Sequence, residues 1–309
     1  MNINKTKTVH VQRRRQRISL KEGLVRRMIK TIWIDGKKMA AETCEKLKVR
    51  ISNLSRPPQL DVIWVGENAA SQIYVNHKKK LGESIGITVH VHHLPEMITQ
   101  NEIRSLIDQL NQDKKSDGIL VQLPLPKHLD SDSLLEDIDP TKDVDGLSSF
   151  NLGRLICGTP QLMPCTPQAC LKMIESVCSA QEMRGKTALV IGRSRLVGKP
   201  MFQLLLTKHC TVIQAHSKTE NLRQMCRLAD IVVVATGHPG LIGADDIKIG
   251  AIVIDVGISK LPDGSIRGDV RSKELEGIAR AVSPVPGGVG PMTVAMLMEN
   301  TVYAAEMHQ

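Results

Sequence analysis

Hydrophobic and polar positions fall into two alternating series separated by a stretch of turns. In the first, LDVIWVG (60–66) is a short apolar run rich in β-formers, and SQIYVNHKKKLGESIG (71–86) carries apolar residues at helical spacing. ITVHVHHL (87–94) alternates like a strand, and NEIRSLIDQLNQ (101–112) is amphipathic with helical period. DGILVQLPLP (117–126) predicts a buried strand stopped by prolines, and SDSLLEDI (131–138) a further helix. Turn formers dominate from Pro140 to Pro167. A helix over 168–178 leads into the second series, with strands TALVIG (187–192), TVIQAHS (211–217), IVVVATG (231–237) and AIVIDVGI (251–258). Helices are expected between the first two pairs of these strands, and a final helix over 292–307.

Strands alternating with helices predict an α/β protein with parallel sheets and right-handed crossovers. At 309 residues the chain exceeds the size at which one core stops growing, so two units are expected. The turn-rich stretch places their boundary near residue 150. This gives a basic extension over 1–30, a first α/β unit over 31–150, a second parallel-sheet unit over 151–285, and a loop and helix over 286–309.

Composition changes the picture in three ways. Aromatic residues make up only 2% of the chain, so Leu, Ile, Val, Met and Ala must fill the interior. The formal net charge of +9 suggests a nucleic-acid partner until it is divided along the sequence. Residues 1–30 carry ten Lys or Arg against one acid, Glu22, and account for the whole excess, leaving a neutral body that argues against that partner. The basic segment itself is open to three readings: a targeting peptide, a nucleic-acid arm, or an untidy or disordered extension, even upstream sequence with Met28 the true start. The seven cysteines form no CxxC pair and no ligand spacing, so free thiols and no metal site are expected. No apolar run is long enough for a membrane span, and a cytoplasmic location is expected, with organellar targeting by the basic segment left open.

VIGRSRLVGKP follows a strand and opens a helix, the setting of a dinucleotide-binding turn. It departs from GxGxxG: Gly192 supplies the tight turn, Ser194 stands at the usual second glycine, and Gly198 allows close helix packing. The next strand ends AHSKT, with Ser217 and Lys218 where an NAD site places an acid for the ribose 2′-hydroxyl. With Arg193 in the turn, the local charge favours a 2′-phosphate and hence NADP. A cationic loop facing water is the alternative.

The lysine run in IYVNHKKKLG divides by helical phase. With Ile73 at zero, Tyr74, Leu81 and Ile85 fall at about 100°, 80° and 120°, Lys78 at about 140°, and Lys79 and Lys80 at about 240° and 340°. Lys78 thus shares the apolar arc while its neighbours face water. Its amine either snorkels along the surface or enters a cleft, where desolvation would lower its pKa. Gln122, a polar residue in an apolar strand just before the prolines, and Asp143 and Asp145 of KDVDG are candidate partners. Asp143 also suits a turn-forming role.

These residues together resemble the methylenetetrahydrofolate dehydrogenase/cyclohydrolase family. SQIYVNHKKK, DGILVQLPLP, TKDVDG, PCTP, GRSRLVGKP and PVPGGVGPMT occur in that family's order, and the resemblance runs from about Ile32 to His308. It implies a catalytic domain and a Rossmann-like domain with the active site in the cleft between them. It also implies a homodimer. The implied activities are NADP-dependent oxidation of 5,10-methylenetetrahydrofolate and hydrolysis of the methenyl product to 10-formyltetrahydrofolate. A dehydrogenase with weak cyclohydrolase activity is the alternative. By resemblance Lys78 is the catalytic lysine, Gln122 orients it, Tyr74 stacks on the folate, and Asp145 grips the pterin beside Pro286 and Gly287. Gly192, Arg193, Ser194, Ser217 and Ile258 match cofactor-contacting positions. Ala69, Ala169 and Ser259 depart from the usual residues beside three of the motifs and put loop geometry, not chemistry, in question. Trp64 has no functional explanation in the sequence.

Overall fold

The computed structural model describes residues 29–309. The expectations for the basic segment fall almost wholly outside these residues. Along the chain run β1 (Ile32–Trp33), α1 (Gly36–Ile51), β2 (Gln59–Val65), α2 (Ala69–Ile85), β3 (Thr88–Leu94), α3 (Gln100–Gln112), β4 (Gly118–Val121) and α4 (Ser131–Glu136). Then come α5 (Ser149–Ile156), α6 (Cys165–Glu175), α7 (Ala180–Met183), β5 (Thr187–Ile191), α8 (Gly198–Thr207), β6 (Thr211–Ala215), α9 (Leu222–Leu228) and β7 (Ile231–Val234). The chain finishes with β8 (Ile252–Asp255), β9 (Ser259–Lys260), β10 (Ile266–Arg267), β11 (Ala281–Val282) and α10 (Val289–His308).

Two parallel sheets result. The first has the order β3-β2-β4, and the second β1-β11-β8-β7-β5-β6. All seven residues of β2 are buried, as expected of a central strand covered on both faces. In the second sheet β7 and β8 are buried throughout, which is why IVVV and IVID read as unbroken apolar runs. The predicted strands and helices of both series are present, with ends shifted by a few residues.

Three expectations need correction. Residues 31–33 were expected in the first unit, but β1 pairs in parallel with β11, so the chain starts in the second sheet before crossing to the first. Two residues are too short to carry a periodicity, so the sequence does not reveal this strand. The Pro140–Pro167 stretch is not all turn: it contains α5, whose N-cap Ser148 accepts from Asn151 N, and which buries Asn151 and Leu155. Helix α6 starts at Cys165 rather than 168, because Pro167 lies in its first turn, where a missing N–H costs no helical bond. No element is predicted for residues 36–51, yet α1 forms there. Asp35 caps it, and Ala40, Cys44 and Leu47 are buried on one face. Helix α10 packs on α1 and α6 and thereby ties the last segment to both halves.

Trp64 also finds a structural account. It lies opposite His93 in the β2–β3 register and stacks on that ring at 3.8 Å with an interplanar angle of 8°. The histidine in turn approaches Gly66 O at 3.0 Å, at the turn that leads into α2.

Candidate active site

Three residues of the KDVDG segment each do a different job. Lys142 donates from Nζ to the carbonyls of Leu110, Asn111 and Asp113, closing the C-terminal end of α3. The Asp143 carboxylate accepts from Leu147 N and Ser148 N at 3.2 and 2.8 Å and from Asn151 Nδ2 at 3.0 Å. It is therefore the turn-former. With these two fixing the segment, Asp145 is left to face the cleft between the halves.

There it meets Lys78 and Gln122. All three line one cavity of about 160 Å³, together with Cys165, Thr166, Leu196 and Thr293 from the second half of the chain. Lys78 is half-buried on α2 and donates to Gln122 Oε1 at 2.8 Å. The amide cannot turn round freely, because its Nε2 donates to Leu123 O. Lys79 and Lys80 are exposed, and Lys79 lies 3.9 Å from Glu83 one turn on. The helical phase therefore separated the lysines correctly, and the cleft reading replaces the snorkelling one.

Burial sets the ionisation of the group. Desolvation pushes the Lys78 amine below its ordinary value, with the carboxylate of Asp145 acting in the opposite direction. Asp145 is pushed up by burial, against the pull of Lys78. Cys165 is held well above the usual thiol range by burial and by the neighbouring carboxylate, so it is an un-ionised thiol, and it donates to Val144 O at 3.2 Å. An amine that titrates low, aimed by an amide and beside a carboxylate, is a usable general base.

A second cavity of about 190 Å³ contains Tyr74, Pro286, Gly287 and Ile258, with Lys37, His77 and Asp255. Tyr74 is one helical turn from Lys78 and 39% exposed, so its ring is available for stacking. Ile258, expected among the cofactor residues, lines this cavity. The other four cofactor candidates line a third cavity of about 450 Å³: Gly192, Arg193, Ser194 and Ser217, joined by His216, Thr236 and His238.

That third cavity passes a stereochemical test for a dinucleotide. Gly192 has φ +132°, and a Cβ there would lie 2.4 Å from Ala235 O, so only glycine fits. Ser194, in place of the second glycine, accepts at Oγ from Val197 N and Gly198 N at 3.2 and 3.4 Å and so holds the start of α8. Among the described residues, no carboxylate lines the cavity beside Ser217 in the loop after β6.

Sequence reading missed Cys165, Thr166 and Thr293 as cavity residues, and Thr236 and His238 in the third cavity. The PCTP and GPMT motifs and the TGHPG turn after a buried strand held the signal. Asn300 was also missed. Only 4% exposed on α10, it donates from Nδ2 to Val144 O and Met163 O, both at 2.8 Å, tying the Asp145 turn to the segment before Cys165. Replacing it with leucine leaves Met163 O without that donor, an expected loss of about 1–3 kcal/mol. Urea unfolding checks this; an unchanged midpoint would show that other donors serve those carbonyls.

A glycine turn at the end of a buried parallel strand, together with a desolvated amine in a separate cavity, places the chain in the class of dinucleotide-dependent α/β enzymes. Comparison with known proteins is narrower. The profile for the tetrahydrofolate dehydrogenase/cyclohydrolase catalytic domain matches residues 34–145, and that for the family's NAD(P)-binding domain matches residues 164–309. The bifunctional protein FolD of Lactococcus lactis subsp. cremoris is 50% identical over 275 residues, covering 88% of this chain and 96% of the relative. The crystal structure of the FolD methylenetetrahydrofolate dehydrogenase/cyclohydrolase of Campylobacter jejuni is 44% identical with a TM-score of 0.88, covering 90% of this chain and all of that one. The Trypanosoma brucei enzyme, solved with NADP cofactor and an inhibitor, is 35% identical with a TM-score of 0.85 and covers 91% of this chain and 99% of its own. The chain belongs to the tetrahydrofolate dehydrogenase/cyclohydrolase family.

Proposed function

We infer that this chain is a bifunctional one-carbon folate enzyme. It oxidises 5,10-methylenetetrahydrofolate to the 5,10-methenyl cation with NADP⁺ and hydrolyses that cation to 10-formyltetrahydrofolate. The observation that carries the reading is the Lys78–Gln122 hydrogen bond inside a cavity that also holds Asp145.

NADP⁺, when bound, supplies the hydride acceptor, which is the hard chemistry of the first step. The chain supplies position. Asp145 suits the amino-pyrimidine edge of the pterin, Tyr74 stacks against the folate, and Pro286 and Gly287 border it on the other side. Arg193 and Ser217 suit a 2′-phosphate, and Gly192 and Ser194 bring the backbone close to the rest of the cofactor. Ile258, matched to a cofactor-contacting position by the resemblance, lines the cavity of Tyr74 and Pro286 rather than that of Gly192 and Ser217.

In the second step the electrophilic carbon of the methenyl cation is attacked by water. Lys78, as the free amine, takes a proton from that water as the carbon–oxygen bond forms. The cationic substrate further disfavours a charged amine beside it, so the base is ready when the substrate arrives. Gln122 keeps the Nζ lone pair aimed. The carbinol hydroxyl then loses its proton as the formyl C=O forms and the ring carbon–nitrogen bond breaks. The departing nitrogen takes up a proton, and the proton held by Lys78 is the one released overall.

Replacing Ser217 with aspartate puts a negative charge where the 2′-phosphate would lie. The NADP-over-NAD preference in kcat/KM should fall on the order of 100-fold. An unchanged ratio would remove Ser217 from the phosphate site.

We assign the chain to the cytoplasm and to a homodimer. Among the described residues, no helix is long and apolar enough to cross a membrane. The free edge of the second sheet at β6, flanked by the exposed Leu206 and Leu228, is a surface suited to self-association. Light scattering on the eluting peak of a sizing column tests the dimer; a monomer mass at micromolar concentration would reject it.

A further inference from the structure

Two carboxylates that take no part in the chemistry above are among the most deeply buried groups in the second half of the chain. Asp255 ends β8 and is 1% exposed; Asp269 follows β10 and is fully buried. Neither has an ion-pair partner within 4 Å among the described residues. A buried carboxylate without a counter-ion is costly unless backbone donors satisfy it. Here backbone and hydroxyl donors satisfy three of the four oxygens, Asp269 Oδ1 being the exception.

One oxygen of Asp269, Oδ2, accepts from Thr236 N at 2.6 Å, Thr236 Oγ1 at 2.9 Å and Gly237 N at 2.9 Å. Thr236 and His238 line the cavity of Gly192 and Ser217, so this carboxylate shapes one wall of the cofactor site. Asp255 serves the other side. Its Oδ1 accepts from Gly257 N at 3.0 Å and Asp269 N at 2.9 Å, its Oδ2 accepts from Val270 N at 2.9 Å, and its own N–H donates to Ser283 Oγ at 2.8 Å. Gly257 precedes Ile258, and Ser283 precedes the Pro284–Gly287 loop of the folate cavity. Asp255 itself lines that cavity.

The packing leaves no slack. A Cβ at Gly257 would lie 2.3 Å from Asp269 Oδ1, and one at Gly268 would lie 2.0 Å from Asp255 Oδ2. The Asp269 side chain thus touches the Asp255 turn while holding the Thr236 turn. Among the described residues its Oδ1 has no hydrogen-bond partner, so all three of the bonds that this side chain accepts fall on Oδ2 and the Thr236 turn.

We propose that Asp255 and Asp269 are positioning residues forming one clasp, through which the cofactor-side turn at Thr236–His238 and the folate-side segments at Ile258 and Pro284–Gly287 are held in register for hydride transfer. The proposal rests on the functional reading above. It adds a directional consequence: the clasp aligns two ligands with one another, so the step that needs both depends on it more than the step that needs only the folate. Hydride transfer requires both ligands at near-attack distance, and a misplacement of about 1 Å costs on the order of 100-fold. Hydration uses Lys78, Gln122 and Asp145, none of which bonds to either carboxylate of the clasp.

The test compares Asp269→Ala, Asp269→Asn and Thr236→Val with the parent, measuring dehydrogenase and cyclohydrolase separately, the latter on supplied methenyltetrahydrofolate. Asp269→Ala should raise the KM for NADP⁺ and lower dehydrogenase kcat/KM by tenfold or more in total, on the order set by lost alignment. Cyclohydrolase kcat should stay within about twofold, because its base and orienting groups keep their hydrogen bonds. Asp269→Asn, which retains one acceptor oxygen for the Thr236 turn, should recover most of the loss. Thr236→Val, which removes one donor, covers the case in which alanine fails to fold, and should show a smaller loss with the same bias. Equal loss of both activities in the soluble variants, or dehydrogenase kinetics like the parent's in all three, would overturn the clasp. A parent enzyme without dehydrogenase activity would instead overturn the functional reading itself, so the two failures are distinct.

Discussion

Lys78→Met should lower cyclohydrolase turnover on the order of 1,000-fold, within the range that one positioned base contributes. Methionine keeps nearly the length and bulk of the lysine stem, so the cavity stays filled, but it has no amine to take a proton from water. Gln122 Oε1 loses its donor at 2.8 Å, and Asp145 loses the cation that pulls its pKa down. The sign follows: the folded-state pKa of Asp145, already raised by burial, rises further, and the carboxyl is more readily protonated. Neither change reaches the cavity of Gly192, Arg193 and Ser217, so the protein should still fold and its affinity for NADP⁺ should match the parent's. Quenched-flow or stopped-flow hydration of methenyltetrahydrofolate is the measurement, with cofactor titration as the control. Retained hydration would remove Lys78 from the mechanism.

Replacing Asp145 acts on both the substrate and the base. Asp145→Ala takes away a buried carboxylate positioned for the pterin, and a charged hydrogen bond of this kind is worth about 1.5–3 kcal/mol. KM for the folate should therefore rise on the order of 10–100-fold in both reactions. Asp145→Asn separates binding from ionisation. The asparagine keeps a hydrogen-bonding oxygen but loses the charge that raises the Lys78 pKa against desolvation. The amine pKa then falls further below its ordinary value, so the free base persists to lower pH. The rising limb of cyclohydrolase kcat against pH should move toward acid in the asparagine variant. A limb that moves toward alkali, or does not move, would show that the limb does not report Lys78 under the influence of Asp145.

The site was legible in the sequence to the extent that it follows from helical phase and motif order. Lys78 could be told from Lys79 and Lys80 because 100° per residue fixes which side of a helix a residue takes, whatever packs against it. Phase could not say whether the amine snorkels or enters a cleft. That depends on Gln122 and Asp145, which are 44 and 67 positions further along the chain. The residues themselves marked Gln122 and Asp145 as candidate partners, and the resemblance gave them roles before any geometry did. Cys165 and Asn300 stayed hidden for another reason: a cysteine and an asparagine inside apolar helices look like core filler until their neighbours are known. The glycine turn was read correctly at Gly192, where a positive φ and a carbonyl 2.4 Å from a would-be Cβ exclude any side chain.

The fold was legible in most elements long enough to repeat a pattern, with the sixteen-residue α1 the exception. The buried strands β2, β7 and β8 announced themselves as apolar runs. The two-residue strands β1 and β11 did not, although their pairing carries the chain's first described segment into the second sheet. Short strands are set by what lies beside them rather than by their own residues. Helix α5 was masked by the prolines and glycines on either side of its eight residues.

The most direct test of the bifunctional assignment is a single spectrophotometric assay of the purified protein with 5,10-methylenetetrahydrofolate, run once with NADP⁺ and once with NAD⁺. NADPH absorbance should rise at the faster rate in the NADP⁺ cuvette, with no lasting build-up of the methenyl band, because Lys78 hydrates the cation as it forms. Absence of NADPH formation, or a methenyl band that accumulates and persists, would contradict it.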